Sequence, residues 1–291
     1  MKIDLHTHSR VSDGTDAPGE LVRLAAAAGL DVVALTDHDT AAGWDAAEAA
    51  ARDVGIVLVR GMEISTRHAR RSAHLLAYLP DPTHPELVAE LDAVLDGRAG
   101  RMPEIVARLA EQGLAITAAD VEEVSGDSAA AGRPHVADAL VRRGVVASRD
   151  EAFDRWLDPG RPGHVPRYAP ETADAVAVVA RAGGVSVLAH PWGRHGRRSM
   201  DVDALADLRE RGLTGIEVDH QDHDPAARAS LRAIADDLGL VATGSSDYHG
   251  TGKVDHELGC NLTAPESYER LLAAAAEASA ASGRRTPAVV G

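Results

Sequence analysis

Short apolar runs alternate along the chain with Ala-rich stretches whose apolar positions recur at helical spacing. The apolar runs predict strands at Lys2–Leu5, Val32–Thr36, Ile56–Met62, Ser72–Leu79, Val185–Ala189, Gly215–Val218 and Val241–Gly244. Helical patterns lie between them, at Pro18–Ala28, Gly43–Val54, Ala173–Ala182, Val202–Arg211 and Ala226–Leu238. Several end in Gly followed by an apolar residue: Gly29-Leu30, Gly55-Ile56, Gly212-Leu213 and Gly239-Leu240. A helix C-cap followed at once by a buried strand, repeated in this way, predicts an α/β fold with a mostly parallel sheet. Thr263-x-x-Glu266, with Pro265 in the first turn, reads as a capping box opening the last helix.

One region breaks the rhythm. Between residues 97 and 168 there are helical patterns but no buried strand, with a capping box at Ser148-x-x-Glu151 and a Gly-Pro-rich close from Asp158 to Gly163. The expected organisation is a core domain of residues 1–96 and 169–291 with a helical insertion of residues 97–168. No period of repetition suggests a solenoid.

Charge and composition narrow the functions. The formal net charge of −15 repels long polyanions and anionic membrane surfaces, so neither long nucleic acid nor a membrane is an expected partner. At 3% the aromatic content offers no stacking platform for single strands. Cys260 is the only cysteine, which excludes an intrachain disulfide and a thiolate zinc site. The first residues run into a motif without a charged-then-apolar leader, and no apolar run approaches the ~20 residues of a membrane span. A cytoplasmic location is the expectation.

The 14 histidines matter through their positions. His6 and His8 follow the first predicted strand, Asp37-His38-Asp39 the second and Glu63 the third. His74 lies in the fourth, His190 ends the fifth, and Asp247 and His249 follow the last. In a sheet of parallel strands the C-terminal ends share one face, where active sites are built. In extended chain, residues i and i+2 point the same way, so His6 and His8 address one point, as do Asp247 and His249. Imidazoles with carboxylates and no thiolate suit manganese, iron or zinc. A single histidine after a strand is more often a hydrogen-bonded or surface residue; it is the set on successive strand ends that points to metal.

The ordered motifs His6-Thr7-His8, Ser12-Asp13-Gly14, Thr36-Asp37-His38-Asp39, Gly61-Met62-Glu63, His74, Ala189-His190-Pro191 and Ser246-Asp247-Tyr248-His249 strongly resemble the polymerase-and-histidinol-phosphatase (PHP) family. The resemblance implies a distorted (β/α)7 barrel holding two to three divalent ions (Mn, Fe or Zn) at the strand ends. It implies one ion on His6, His8, Glu63 and Asp247, a second on Glu63, His74 and His190, and a third on Asp13, His38 and His249. Glu63, Asp247 and His190 are the residues expected to carry catalysis. Gly132-Arg133-Pro134-His135, opening a helix, is similar to the insertion of stand-alone phosphoesterases, and implies that Arg133 and His135 grip a substrate phosphate. An Arg fork at a helix N-terminus suits that task; the plainer reading pairs Arg133 with a nearby acid.

Weaker candidates follow from position. His223, in Asp219-His220-Gln221-Asp222-His223, lies on the same face and is a candidate substrate contact, and Lys253 is a candidate neutraliser of phosphate. The basic run Arg194–Arg198 is either an anion lure or a solvated loop, and Arg67–Arg71 reads as a turn. The expected activity is metal-dependent hydrolysis of a phosphate monoester on a small nucleotide, a nucleoside 3′,5′-bisphosphate or a mononucleotide, by metal-activated water. Histidinol-phosphate phosphatase, 5′-3′ trimming of short RNA, and a metal-binding module without turnover are the alternatives.

Overall fold

The computed structural model describes residues 1–193 and 200–291, so the basic run at 194–198 lies outside the described residues. Seven strands pair in chain order: β1 (Ile3–Asp4), β2 (Val32–Leu35), β3 (Val57–His68), β4 (Arg71–Tyr78), β5 (Val185–Leu188), β6 (Gly215–Asp219) and β7 (Val241–Gly244). All neighbours are parallel except β4, which is antiparallel to both β3 and β5. A parallel bridge between Thr7 and Tyr248 brings the first and last strand ends together, so the sheet is nearly closed into a distorted barrel.

Around it lie α1 (Pro18–Ala27), α2 (Trp44–Val54), α7 (Thr172–Arg181), α8 (Val202–Glu210) and α9 (Pro225–Leu238). Gly55 and Gly239 take left-handed conformations after α2 and α9, which lets the chain leave each helix directly into a strand. The strands obey a period of two. Val33 and Leu35 pack in the layer with Leu21, Ala47, Val179 and Leu231, whereas Val32 and Ala34 pack with Leu76, Val187, Leu271 and Ala275. The second set fills the barrel interior and is completed by α10 (Pro265–Ser282). Both sheet faces are therefore covered, as a parallel sheet requires.

This alternation also aims the polar residues. Met62 and Ile64 belong to the outer layer, so Glu63 between them faces the interior. Ile216 and Val218 place Glu217 likewise, and a register irregularity between Glu217 and Asp219 turns the chain just beyond it. Leu76 and Tyr78 are interior, so His74 on the same face of β4 is interior too. Because β4 runs backwards, its first residues lie at the same barrel end as the last residues of its parallel neighbours.

Three expectations are corrected in detail. β3 runs on to His68 rather than stopping at Met62, because residues 61–68 form a hairpin with β4 through Ala69 and Arg70, both at positive φ. The last helix has Ala264, not Thr263, at its N-cap. Thr263 instead uses its hydroxyl to accept from Gly244 N at 3.0 Å and donate to Gly244 O at 2.7 Å, fastening the chain to β7. At Ser148 the hydroxyl accepts from Glu151 N at 3.2 Å, while the Glu151 carboxylate accepts from Ala147 N at 2.7 Å rather than from the cap residue.

Between β4 and α7 stand α3 (Pro85–Glu111), α4 (Ala118–Ser125), α5 (Arg133–Arg142) and α6 (Arg149–Ala152), which continues into one π turn, Phe153–Leu157. They share an apolar cluster of their own, including Ile105, Leu109, Val121, Val136, Leu140 and Leu157. The expected division at residue 97 falls inside α3, which reaches from the barrel into this cluster. Among the described residues no helix is long and apolar enough to cross a membrane.

Candidate metal centre

Nine side chains converge at the barrel end where β1, β2, β5, β6 and β7 finish. Glu63 is their hub. Its Oε1 lies 2.9 Å from His74 Nδ1 and 3.2 Å from His190 Nε2. Its Oε2 lies 3.3 Å from His6 Nε2, 3.1 Å from His8 Nε2 and 3.2 Å from His38 Nδ1. Asp247 Oδ1 is 3.4 Å from the Nε2 atoms of both His6 and His8. Asp13 faces His38 Nε2 at 3.6 Å through Oδ2 and His249 Nε2 at 3.3 Å through Oδ1.

These distances have the dimensions of a coordination cage. The two His Nε2 atoms are themselves 2.9 Å apart, turned with Glu63 Oε2 and Asp247 Oδ1 toward one point. Metal–ligand bonds of about 2.1 Å give ligand-to-ligand edges of roughly 3.0–3.4 Å. Ligand atoms within 4.8 Å of one another form the triads His6–His8–Asp247, His8–His38–Glu63, His8–Asp13–His249 and Glu63–His74–His190. The donor set, imidazole and carboxylate around a shared Glu, fits divalent cations.

Local backbone geometry builds this cage. Asp39, His190 and Asp247 are non-glycine residues at positive φ (55°, 28° and 53°), each just past a strand. Such strain is typical of functional sites and is held by the surroundings. Glu217 accepts from His190 N at 2.8 Å and, at 3.2 Å, meets His6 Nδ1; it also accepts from the Ser245 hydroxyl. Gly14 lets the Asp13 loop fold back on β1: a Cβ there would stand 2.1 Å from the His8 carbonyl oxygen. Asp37 ties that loop down, accepting from Ser9 N (2.8 Å), Ser9 Oγ (2.7 Å) and Ser12 Oγ (2.7 Å).

Electrostatics couple the cluster. Burial opposes ionisation of Glu63, Asp13 and Asp247, but the surrounding cationic groups hold all three well below the usual carboxylate range. Burial alone would lower His8, yet hydrogen bonds to Asp247 and Glu63 and the charges of Glu63 and Asp13 raise it to about 9. His6 and His190 are raised in the same way, against the effect of burial. His38, by contrast, is pushed down to about 3 by burial, which the nearby carboxylates only partly oppose.

Glu217 and His220 were not among the expected site residues. His220 Nδ1 accepts from Asp222 N at 3.1 Å, which places its proton on Nε2, 3.2 Å from Asp247 Oδ2. In that tautomer it donates to Asp247 and orients it, as a partner behind a ligand does. Lys253 also pairs with Asp247 Oδ2. A Glu amid the apolar residues of β6 was the available sequence signal for Glu217.

The expected substrate contacts divide. Arg133 opens α5; its guanidinium donates to Leu157 O at 3.0 Å and sits 5.3 Å from the Phe153 ring centroid. His135 is buried and accepts from Gly132 N at 3.1 Å, and the charge of Asp13 bears on it. The loop before α5 is fastened to the Asp13 loop, Ser128 Oγ donating to Ser12 O at 2.7 Å. His223 stands apart: it is buried, its Nδ1 donates to Val218 O at 2.9 Å and its Nε2 accepts from Trp192 N at 3.2 Å. Both nitrogens are spent on backbone, so His223 braces the loop after β6 and has no donor or acceptor left for a substrate.

Comparison with known proteins agrees with this geometry. The sequence profile of the PHP domain matches residues 4–90. A 3′,5′-nucleoside bisphosphate phosphatase of Chromobacterium violaceum is 34% identical over 257 residues, covering 88% of this chain and 90% of that one. The chain belongs to the PHP family. A second relative, a 5′-3′ exoribonuclease of Haemophilus influenzae, is 35% identical over 267 residues, 91% of this chain and 96% of that one. A Bifidobacterium adolescentis crystal structure, assigned as a metal-dependent phosphoesterase, superposes with a TM-score of 0.89 at 36% identity, over 94% of this chain and 96% of the other. The protein is thus a metal-dependent hydrolase of the PHP phosphoesterase class.

Proposed function

We propose that this PHP enzyme hydrolyses phosphate monoesters of small nucleotides, a nucleoside 3′,5′-bisphosphate or a mononucleotide. The observation that carries the reading is the convergence of five histidines on the two oxygens of Glu63. His6, His8, Asp13, His38, Glu63, His74, His190, Asp247 and His249 would hold two to three divalent ions (manganese, iron or zinc). Such ions polarise phosphoryl oxygens and acidify water for attack in line with the leaving group.

The chain's own residues fix the geometry of that attack. Glu63 draws the His74–His190 pair and the His6–His8 pair onto one carboxylate, and so sets the spacing of two sites. Asp247 is clamped by Lys253 and His220, whose positive charge and N–H keep it ionised and aimed. The part-buried Lys253 ammonium, which burial would lower but which Asp247 and Asp222 raise above its ordinary pKa, also offers charge to a phosphoryl oxygen. Arg133 and His135 at the start of α5, a helix terminus that favours anions, would hold the nucleotide's phosphate.

The test is phosphate release by manganese-loaded protein from adenosine 3′,5′-bisphosphate, 5′-AMP, histidinol phosphate and a short 5′-phosphorylated RNA. The bisphosphate is expected to be preferred, and Arg133→Ala to lower its kcat/KM about 10- to 100-fold, the effect of losing a charge-assisted phosphate contact. Preference for histidinol phosphate would overturn the substrate assignment. The likeness to an exoribonuclease supports a second reading, trimming of short RNA, and preference for the RNA would select it.

A further inference from the structure

Glu217, on β6, is fully buried and is not one of the nine convergent residues. A carboxylate is stable in such a place only when its oxygens are filled. Its Oε1 meets His6 Nδ1 at 3.2 Å and also accepts from the Ser245 hydroxyl, while its Oε2 accepts from His190 N at 2.8 Å. Two of these three partners belong to the metal cluster, and to different parts of it. His6 groups with His8 and Asp247, and His190 with Glu63 and His74. One carboxylate from outside the cluster thus touches both groups.

Its hold on the two histidines differs in kind. His6 turns Nε2 into the cluster, 3.3 Å from Glu63 Oε2 and 3.4 Å from Asp247 Oδ1, and leaves Nδ1 facing Glu217. An ionised carboxylate only accepts hydrogen bonds, so the ring proton belongs on Nδ1, and Nε2 keeps a lone pair for a cation. A carboxylate behind a ligating imidazole fixes both its tautomer and its orientation in this way.

His190 is held through its main chain instead. Its φ is 28°, a conformation that strains a non-glycine residue and persists only where the surroundings fix it. The bond from its N–H to Glu217 is such a restraint, and from that backbone position the ring brings Nε2 to 3.2 Å from Glu63 Oε1.

We propose that Glu217 is a positioning residue for two metal sites at once, setting the His6 tautomer at one and the His190 main chain at the other. The inference rests on the metal-centre reading of the cluster and is independent of the substrate. Glu217→Gln separates the two roles, because an amide has one accepting oxygen and one NH2 donor. The His190 N–H can only donate, so the amide oxygen stays with it. The NH2 then faces Ser245, whose hydroxyl can turn to accept, and His6, whose ring can accept only by moving its proton to Nε2. That tautomer closes the His6–His8–Asp247 group to a cation and leaves the Glu63–His74–His190 group open.

The test counts ions and reads the His6 ring in zinc-loaded protein. Elemental analysis of Glu217→Gln, its fold checked by circular dichroism, is expected to find about one ion fewer per chain than wild type, with affinity at the weakened site down roughly 10- to 100-fold by chelator competition. Long-range proton–nitrogen NMR is expected to show His6 of wild type protonated on Nδ1 and bound through Nε2, and His6 of the variant protonated on Nε2. An equal ion count with an unchanged His6 spectrum would overturn the proposal, and loss of every ion together would overturn the division between the two sites. Should the variant not fold, wild type alone decides, since a His6 bound through Nδ1 or protonated on Nε2 contradicts the assignment. Wild type that binds no ion would overturn the metal-centre reading itself. Wild type that binds ions and shows the expected His6 spectrum, yet releases phosphate from no monoester, would leave the role of Glu217 standing and remove only the substrate assignment.

Discussion

Glu63→Gln is expected to lower kcat/KM for any phosphate monoester by on the order of 10³-fold or more and to reduce the metal bound per chain. The substitution keeps the shape of the side chain and removes its charge. Both oxygens of Glu63 are in use, Oε1 toward His74 and His190 and Oε2 toward His6, His8 and His38. An amide supplies one acceptor oxygen and one NH2 group, a donor of two hydrogens, in their place. That NH2 group would confront imidazole nitrogens that have to present lone pairs to a cation. No neighbour takes its place, because Asp247 shares with Glu63 only the Nε2 atoms of His6 and His8, and Asp13 faces the other nitrogen of His38. Phosphate release and elemental analysis on the purified variant check both parts, and activity within threefold of wild type would show that Glu63 is not the hub.

Metal removal is expected to leave a protein whose stability peaks near pH 6.5, and the stabilisation by added metal is expected to grow between pH 6.5 and 9. His8, raised to about 9, and His6 and His190, also raised, gain stability from their protonated forms. That contribution is fully present below 6.5 and disappears as pH rises through the folded values. His38, lowered to about 3, and His249 and His220, also lowered, act in the opposite sense, so their contribution is lost as pH falls below 6.5. The carboxylates of Glu63, Asp13 and Asp247 add a further loss in acid, below their ordinary values of 4.5 and 3.8. Bound cations take the place of those protons, and metal affinity rises as competing protons leave. Thermal unfolding of chelator-treated and manganese-loaded protein across this range measures the gap. A gap that stays constant or narrows would mean that the raised histidines are not at the metal positions.

The barrel was legible because each strand is a short apolar run ending at a polar site residue. The second half of β3 was not, since Glu63, Ser65, Thr66 and His68 break the apolar pattern there. Those residues are polar because they face the site, the neighbouring turn or β4, a tertiary reason that no local window contains. Thr263 reads as a helix cap because Ser/Thr-x-x-Glu is a local signal, yet its hydroxyl is taken by Gly244 across the sheet.

The nine convergent residues were readable from strand-end positions and the family pattern together. Glu217 was hidden in an apolar strand, and His220 was passed over for its neighbour His223, which the backbone occupies on both sides. Arg101 and Arg167 look in sequence like ordinary solvated charges. Only the packing of α3 against the segment at 165–168 buries Arg101 and part-buries Arg167.

The Glu63-centred cluster is expected to hydrolyse phosphate esters only with divalent metal bound. The most direct test is phosphate release from adenosine 3′,5′-bisphosphate while chelator-stripped protein is titrated with manganese. Negligible release without metal, rising to a plateau as about two or three ions bind per chain, is the expected result. Full release from the stripped protein, or none at saturation with metal bound, would contradict it.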